Sequence, residues 1–300
     1  MNSTISLPYI NGEWLPMCLE KYVIYAVLWP LLALTAVPIW IFFYVYLSVF
    51  IVLLYKMSSK TKEEAQRSYY FILGNLWDYF GRIWHGYELH GIENLPDGPG
   101  LIIYYHAPIP IDHIFFLAKI FFLKKKLCCY TVVDQFVFKI PGLKMLGSKL
   151  KMITGSKEEC LHALKNGDWV AISPGGTREA IFSDETYKIL WGKRKGFANV
   201  ALEPIIPMFT ENSREGYKIF GQIKHLYEFI RWPLIILYGG FPVKWRAHIG
   251  KPIPYDPNIT ADELVKKVQN SLQTLIEKNQ KLPGSIRRAL LARFHNKKNE

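Results

Sequence analysis

Short runs of uninterrupted apolar residues alternate with stretches of helical period through the middle of the chain. Strands that are buried on both faces have this composition, and the helices between them cover the two faces of a sheet. The pattern therefore predicts an α/β fold with a mostly parallel sheet flanked by helices. The predicted strands span residues 87–90, 101–105, 127–133, 151–154, 169–173, 204–210 and 243–249.

Helices are predicted where apolar residues recur every three or four positions and capping residues mark the ends. Ser156 and Thr260 each stand three residues before a glutamate, which is the pattern of a capping box. Asp112 is expected to be the N-cap of another helix, and Pro141-Gly142 is expected to break a further one. The predicted helices span residues 61–84, 112–123, 136–150, 156–165, 260–278 and 285–295.

No charged side chain occurs from Tyr22 to Tyr55. As a helix this stretch would be about 50 Å long at roughly 1.5 Å per residue, well over a hydrocarbon core of roughly 30 Å. Pro30 and Pro38 lie inside it and would break or kink a helix. The run predicts a membrane anchor. We expect this anchor to be either a tight helical hairpin or one span that begins at about Pro38, preceded by a segment that dips into the bilayer.

These patterns divide the chain into five parts. An N-terminal segment (1–21) precedes the membrane anchor (22–55). An amphipathic helical linker rich in aromatic residues (56–87) follows, and it is expected to lie against the bilayer or to dock on the domain. The predicted catalytic domain covers residues 88–255, and residues 256–300 hold C-terminal helices and a basic tail.

The chain carries a formal net charge of +12, which suits either a nucleic acid or an anionic membrane. The sequence contains no recognisable nucleic-acid-binding module, whereas it does contain a membrane anchor. Lys56, Lys60, Lys62 and Arg67 follow the apolar run, so the positive-inside rule predicts that the large C-terminal part faces the cytosol. The basic helix predicted at 285–295 suits either lipid headgroups or packing on the domain.

His106 follows the predicted strand 101–105, and Asp112 opens the next helix six residues later. Open α/β sheets place their sites at the carboxyl ends of strands. A carboxylate that accepts from one ring nitrogen fixes the tautomer, so that the other nitrogen can take a proton from a hydroxyl. The pair therefore predicts a general base and its orienting acid for acyl transfer to an alcohol. From this segment alone, a strand-end histidine followed by an ordinary helix cap is an equally good interpretation.

A second glycine-rich turn follows the predicted strand 169–173 and consists of Ser173-Pro174-Gly175-Gly176-Thr177-Arg178. Adjacent glycines let backbone amides approach a ligand closely, and Arg178 adds a guanidinium. A serine hydrolase is disfavoured, because its oxyanion hole needs the amide N–H of the residue after the serine and Pro174 has none. The turn is therefore expected to bind substrate; taken alone, a structural glycine turn with a surface arginine is the alternative.

Four blocks of the sequence carry a resemblance to a known family. They are Gly91-Ile-Glu-Asn-Leu-Pro-Asp-Gly-Pro-Gly100, His106 with Asp112, Ser173-Pro-Gly-Gly-Thr-Arg178, and Pro204-Ile-Ile-Pro-Met208. In order and spacing they resemble the glycerolipid (lysophospholipid) acyltransferase family over about residues 88–255. The chain also contains a Gly-Gly-Phe-Pro-Val run at 239–243. In this run it resembles the transmembrane protein 68-like branch of the family, whose members are anchored in the endoplasmic reticulum membrane. The resemblance implies that His106 is the general base, that Asp112 is its partner, and that the second turn holds acceptor or donor.

Two departures from the family pattern bear on the chemistry. The usual step from histidine to aspartate is five residues, and here it is six, with Pro108 and Pro110 in the connecting loop. The block that usually carries a glutamate before its glycine has Gly175 in this chain. In members that handle phosphate this block serves a glycerol phosphate headgroup. The change therefore resembles branches that use neutral acceptors such as mono- or diacylglycerol.

The resemblance implies a membrane-bound enzyme that transfers an acyl group, expected to come from acyl-CoA, to the hydroxyl of a neutral glycerolipid in triacylglycerol synthesis. The alternatives are a lysophosphatidic acid or lysophospholipid acyltransferase and a catalytically silent lipid-binding or scaffold protein. If the donor is acyl-CoA, Lys193, Arg194 and Lys195 are expected to contact its phosphates; the alternatives are a solvated basic face and contact with lipid phosphates. No cofactor and no metal are expected, because no histidine and carboxylate set at ligand spacing surrounds His113.

The expected partners are the acyl donor, the glycerolipid acceptor and the lipid bilayer, with no nucleic acid. Lys297 and Lys298 stand fourth and third from the last residue. This spacing resembles the dilysine retrieval signal of endoplasmic reticulum membrane proteins, which is read from the cytosol. The predicted location is therefore the endoplasmic reticulum membrane, with the catalytic domain in the cytosol.

Overall fold

The computed structural model describes residues 40–58, 61–124, 127–219 and 237–295, together with Tyr22, Tyr25 and Ala26. Its strands are β1 Glu88–His90, β2 Gly100–Tyr104, β3 Cys129–Val132, β4 Met152–Ile153, β5 Trp169–Ile172, β6 Ile205–Glu211, β7 Tyr217–Ile219, β8 Leu237–Gly239 and β9 Arg246–Ile249. Its helices are α1 Trp40–Ser58, α2 Lys62–His85, α3 Ile111–Lys124, α4 Leu143–Lys149, α5 Lys157–Lys165, α6 Gly176–Phe182, α7 Ser213–Gly216, α8 Ala261–Asn279 and α9 Ile286–Leu291.

Seven strands of the described chain form one sheet in the order β1-β9-β6-β2-β5-β3-β4. Every neighbouring pair in it is parallel except β6 with β9, which is antiparallel. At the centre, Ile102 of β2 lies opposite Ile206 of β6 and Ala171 of β5. The prediction of a mostly parallel sheet flanked by helices is confirmed, and the antiparallel β9 is a departure from it.

Successive residues of β2 face opposite sides of the sheet. Leu101 and Ile103 belong to one buried apolar cluster, and Ile102 belongs to another. Helix α3 covers the side of Ile102, while α5 and α8 cover the other side. Helix α8 presents an apolar residue at every fourth position, namely Leu264, Val268, Leu272 and Ile276. Because both faces are covered, the central strands carry uninterrupted apolar residues.

The helix ends follow the predicted capping with one difference. Ser156 and Thr260 each form a capping box at the start of α5 and α8. The break predicted within 136–150 lies at Gly142, whose φ is 80°. Helix α3 begins at Ile111, so Asp112 lies in its first turn and not at the N-cap. A carboxylate in the first turn still interacts favourably with the positive end of the helix dipole.

Helix α1 is long and apolar enough to cross a membrane. Its 19 residues extend about 28 Å at roughly 1.5 Å per residue, close to a hydrocarbon thickness of roughly 30 Å. One side packs on α2, where Tyr44 stacks on Phe80 at 4.6 Å and Trp77 Nε1 donates to Ser48 Oγ at 3.1 Å. The other side exposes Trp40, Phe42, Phe43, Tyr46, Phe50 and Leu54. This helix supports membrane association, and most of residues 22–39, where a hairpin partner would lie, are outside the described residues.

Helix α2 connects α1 to the α/β domain. Its buried Tyr69, Leu73 and Trp77 belong to the same apolar cluster as Phe115 of α3. On its outer side Phe71, Tyr79 and Ile83 are exposed. The predicted amphipathic linker therefore docks on the domain and keeps a second apolar face toward its surroundings.

The C-terminal helix packs on the domain. Ala289 of α9 is buried in the apolar cluster that contains α2. Arg293 donates to the carbonyls of Ile83 at 2.8 Å and Pro242 at 2.9 Å. Of the two roles predicted for the basic helix at 285–295, the structure shows packing on the domain. Lys297 and Lys298 lie outside the described residues.

Besides the four-residue helix α7, two parts of the fold were not predicted. A helix, α6, begins directly in the second glycine-rich turn. Strands β7 and β8 form a separate antiparallel pair. Both are short, so neither shows a recognisable apolar period in the sequence.

Candidate active site

Three neighbouring parallel strands end at one edge of the sheet. Strand β2 lies between β6 and β5, so the residues that follow these strands meet at that edge. His106 follows β2, the loop 173–178 follows β5, and Arg214 follows β6 after Asn212, whose φ is 61°. The fold thus brings together the two motifs identified in the sequence.

His106 is held by its backbone and by one ring nitrogen. Its amide donates to Oε2 of Glu179 at 2.9 Å, and its carbonyl accepts from Nη2 of Arg214 at 3.2 Å. Its Nδ1 lies 2.7 Å from the carbonyl oxygen of Ala107. A carbonyl can only accept, so Nδ1 carries the proton and Nε2 is the basic nitrogen.

The surroundings of His106 keep the ring neutral. Burial lowers the pKa of the imidazole to about 4, the Ala107 carbonyl opposes this shift, and the guanidinium groups of Arg214 and Arg194 add to it. At neutral pH the ring is therefore uncharged and able to accept a proton.

Asp112 is buried, with 2% of its surface exposed. Burial raises the pKa of its carboxyl to about 6, against the opposing effects of the Thr210 hydroxyl and of the amides of His113 and Asp112. Its Oδ1 has no hydrogen-bond partner among the described residues. Within the described chain no hydrogen bond joins Asp112 to His106, whose Nδ1 is engaged by Ala107. The orienting role of Asp112 therefore stays a prediction.

The glycine-rich loop is fixed by Arg194. Its Nη1 donates to the carbonyls of Pro174 at 3.1 Å and Gly175 at 2.6 Å. Gly176 follows with φ 50°, a conformation that side-chain-bearing residues rarely adopt. The loop is therefore held in one shape where it passes into α6.

The other loop residues differ in exposure. Ser173 Oγ is buried and has no hydrogen-bond partner in the part of the chain that the structure describes. Thr177 is half-buried. Arg178 is exposed on α6, with its guanidinium 5.8 Å from the ring of Phe182. Their substrate-binding role stays a prediction, and Arg178 is the loop residue that reaches the surface.

The three basic residues predicted to contact the donor lie in different settings. Arg194 bonds the loop carbonyls described above. Lys195 pairs with Asp262 in the first turn of α8 at 3.0 Å. Lys193 is exposed. The structure therefore gives two of the three a contact within the protein, and donor binding by this cluster stays a prediction.

Glu179 and Arg214 were not identified as site residues from the sequence. Glu179 is fully buried, and burial raises the pKa of its carboxyl to about 7 although the amides of His106 and Leu190 act in the opposite direction. Arg214 donates to the carbonyls of Glu179 at 2.6 Å and Ser183 at 2.8 Å. A signal for Arg214 was present, because a polar run at 210–215 directly follows an apolar strand, as His106 does.

His113 is accounted for by packing. Its Nε2 lies 2.9 Å from Oγ1 of Thr131, and its ring stacks on Tyr104 at 4.6 Å. Among the described residues no group of three or more His, Cys, Asp or Glu side chains is arranged to hold a metal ion. These contacts give His113 a role in the buried face of α3.

Several cavities of the described chain adjoin these elements. One of about 190 Å³ lies beside the His106 loop and is lined by Pro108, Ser183 and Arg214 among others. A larger one of about 850 Å³ lies between α2 and α3, where aromatic side chains including Phe71 and Phe122 line it. The first provides open space next to the loop that carries His106. A further cavity of about 460 Å³ adjoins the glycine-rich loop and is lined by Ser173, Pro174 and Arg194 among others.

Comparisons with known proteins bear on the family to which the chain belongs. A family model described as Acyltransferase matches residues 86–211, which contain both motifs. The chain is 48% identical over 312 residues to the DGAT1/2-independent enzyme synthesizing storage lipids of Gallus gallus, covering 98% of this chain and 94% of that protein. The protein of the same description from Homo sapiens is 47% identical over 307 residues, with 97% and 94% covered.

These matches define the class as an acyltransferase of lipid synthesis. The chain belongs to the glycerolipid acyltransferase family, as its four sequence blocks predict. Its curated relatives are described as enzymes, which favours catalysis over the silent scaffold alternative. The outer boundaries of the predicted domains stay predictions.

Among solved structures, the crystal structure of the 1-acyl-sn-glycerophosphate (LPA) acyltransferase PlsC from Thermotoga maritima aligns with the chain at a TM-score of 0.46. The identity is 19%, and the alignment covers 86% of this chain and 97% of that one.

Proposed function

We propose that the protein is a membrane-bound O-acyltransferase that moves an acyl group from acyl-CoA to the hydroxyl of mono- or diacylglycerol, towards triacylglycerol. The observation that carries the proposal is a neutral histidine with a fixed tautomer at the carboxyl end of β2. The description of the relatives as synthesizing storage lipids supports a neutral glycerolipid product. Gly175, where related enzymes usually have a glutamate, supports a neutral acceptor.

The chemistry needs one base and no covalent enzyme intermediate. Nε2 of His106 takes the proton of the acceptor hydroxyl while that oxygen attacks the thioester carbonyl carbon. The carbon–oxygen bond forms, and the carbon–sulfur bond breaks as the tetrahedral adduct collapses. The imidazolium then returns its proton to the departing thiolate, which leaves an ester and free coenzyme A.

Asp112 is the proposed carboxylate partner of His106 in the reacting complex. Its Oδ1 is buried without a partner among the described residues, and buried polar atoms are normally hydrogen-bonded. A turn of the imidazole from the Ala107 carbonyl towards Asp112 would supply that donor. The carboxylate would then stabilise the imidazolium that forms during the reaction.

The remaining parts of the proposal concern substrates and location. Ser173 to Arg178 hold acceptor or donor beside His106, and Lys193, Arg194 and Lys195 lie nearby for the donor phosphates. The α1 helix supports a site at the bilayer surface, where both lipid substrates are found. We propose the endoplasmic reticulum membrane as the location, as the family resemblance and the spacing of Lys297 and Lys298 imply. The catalytic domain would lie on the cytosolic side, as the charge pattern predicts.

The test is acyl transfer by membranes that contain the wild-type protein, His106→Ala or His162→Ala. His162 is an exposed histidine on α5 and serves as the matched control. With labelled acyl-CoA and diacylglycerol, His106→Ala should lose about 10²-fold to 10⁴-fold in rate, as expected for removal of a general base. His162→Ala should keep the wild-type rate, and both variants should stay membrane-associated.

Unchanged product formation by His106→Ala would refute the catalytic assignment. The acceptor class is tested in the same membranes by competition between monoacylglycerol and lysophosphatidic acid. Preferential consumption of lysophosphatidic acid would show that the acceptor is phosphorylated and not neutral.

A further inference from the structure

Gly175 is a glycine although its backbone does not require one. Its φ of −68° and ψ of −33° are ordinary right-handed helical values. A β-carbon at this position would lie 2.4 Å from Cβ and 2.6 Å from Oε2 of Glu179. The side chain of Glu179 therefore occupies the space that a side chain at residue 175 would need, and this contact explains the glycine.

Glu179 reaches that space from one helical turn further along α6, because residues four apart lie on the same side of a helix. Its Oε2 accepts the amide of His106 and its Oε1 accepts the amide of Leu190, both at 2.9 Å. One buried carboxylate thus joins the end of β2, the glycine-rich loop and the segment that leads to Arg194.

The main chain of Glu179 strengthens this connection. Its carbonyl accepts Nη2 of Arg214 at 2.6 Å, and the same nitrogen lies 3.2 Å from the carbonyl of His106. The peptide groups on both sides of the His106 side chain are therefore held, one by Glu179 directly and the other through Arg214. Because backbone amides engage both carboxylate oxygens, this group acts on His106 and not on the substrate.

We propose that Glu179 is a positioning residue for the transfer step, fixing the backbone of His106 from the space beside Gly175. The inference rests on the proposed function, since positioning matters only if His106 is the base. A small misplacement of a catalytic group can cost about 10²-fold in rate.

The first test compares Glu179→Gln with Glu215→Gln in the full-length protein in membranes. Glu215 is the matched control, because it is equally buried and its carboxylate bonds the hydroxyl of Tyr187. A glutamine at 179 turns an NH₂ group towards one of the two amides, so one of them loses its acceptor. We expect kcat per folded molecule to fall about 10-fold or more, with KM for both substrates within about 2-fold, while Glu215→Gln keeps both constants.

A second pair of variants tests the same contact without removing the carboxylate. The methyl group of Gly175→Ala collides with Glu179 and should lower kcat, whereas a β-carbon at Gly98 meets nothing within 4 Å and Gly98→Ala should not. Gly175→Ala combined with Glu179→Gly should be no slower than Glu179→Gly alone, because the β-carbon of residue 179 that the added methyl group would meet is then absent. The comparison of Gly175→Ala with Gly98→Ala tests the positioning role of Glu179 even if Glu179→Gln does not fold.

Equal kcat values for Glu179→Gln and Glu215→Gln per folded molecule, or a full kcat for Gly175→Ala, would overturn the positioning role. A rise in KM without a fall in kcat would also overturn it, since the residue would then act in substrate binding. An active His106→Ala overturns the proposed function and this inference together. An inactive His106→Ala with a normal Glu179→Gln overturns this inference alone.

Discussion

The carbonyl oxygen of Ala107 lies 2.7 Å from Nδ1 of His106. The backbone of the next residue therefore already sets the tautomer that leaves Nε2 free for the acceptor hydroxyl. In a catalytic role, what Asp112 would add is negative charge beside the imidazolium. A dependence on its charge can be measured.

The pH dependence of acyl transfer separates the two groups. Burial raises the pKa of Asp112 to about 6 and lowers the pKa of His106 to about 4. A carboxyl group stabilises an imidazolium only when it is ionised, so the rate of acyl transfer should be high above about pH 6, where Asp112 is ionised, and should fall below that pH. If only the neutral form of His106 mattered, the loss would come near pH 4. We expect a midpoint near 6 in kcat measured on membranes.

Asp112→Asn checks this assignment. It should lower kcat about 10-fold or more and move the remaining acid limb towards pH 4. Burial also raises the pKa of Glu179 to about 7, so the control is the pH dependence of kcat for Glu179→Gln. If kcat of that variant still falls with a midpoint near pH 6, the fall is due to Asp112. An acid limb that Asp112→Asn leaves in place would show that this carboxylate has no part in the reaction.

Arg214→Lys should destabilise the site. The Arg214 guanidinium donates to the carbonyls of Glu179, Ser183 and His106, and the ammonium group of lysine cannot span these positions. We expect the free energy of unfolding to fall by at least about 2 kcal/mol, because buried carbonyls lose their donors. The measurement is thermal unfolding in detergent.

The control for that variant is Arg82→Lys. Arg82 is largely exposed and pairs with Asp78 at 2.9 Å, so its replacement should change stability by less than about 1 kcal/mol. Equal melting temperatures for the two variants would contradict a structural role of Arg214.

The contact between α1 and α2 should show coupling between Ser48 and Trp77. Trp77 Nε1 donates to Ser48 Oγ at 3.1 Å in a buried position. Ser48→Ala leaves the indole N–H without its acceptor and should cost about 1–3 kcal/mol. Adding Trp77→Phe removes that donor, so the double variant should be less destabilised than the sum of the two single variants. Strict additivity in a double-mutant cycle would show that the two side chains do not interact.

Placing a glutamate at position 175 should not improve transfer to a neutral acceptor. A β-carbon there lies 2.4 Å from Cβ of Glu179, so Gly175→Glu must displace the carboxylate that bonds the His106 amide. We expect rates with monoacylglycerol and with lysophosphatidic acid both to fall about 10-fold or more. A large increase in monoacylglycerol turnover would contradict our interpretation of this loop.

Much of the framework could be predicted from local patterns. The apolar runs that became β2, β5 and β6 were recognisable because strands covered on both faces exclude polar residues. Ser156 and Thr260 marked their helix starts because a capping box is completed within four residues. The uncharged run predicted an apolar helix such as α1, because a helix long enough to cross a bilayer must exclude charged side chains.

Tertiary structure alone decided which side chains complete the site. The bond between Glu179 and the His106 amide joins residues 73 apart, and the bond from Arg214 to the His106 carbonyl joins residues 108 apart. Glu179 directly follows the glycine-rich motif, but the sequence could not show that its side chain folds back over the loop and fills the space beside Gly175. Periodicity and capping report on neighbours along the chain, whereas the hydrogen bonds of a buried carboxylate depend on which strands the fold places side by side.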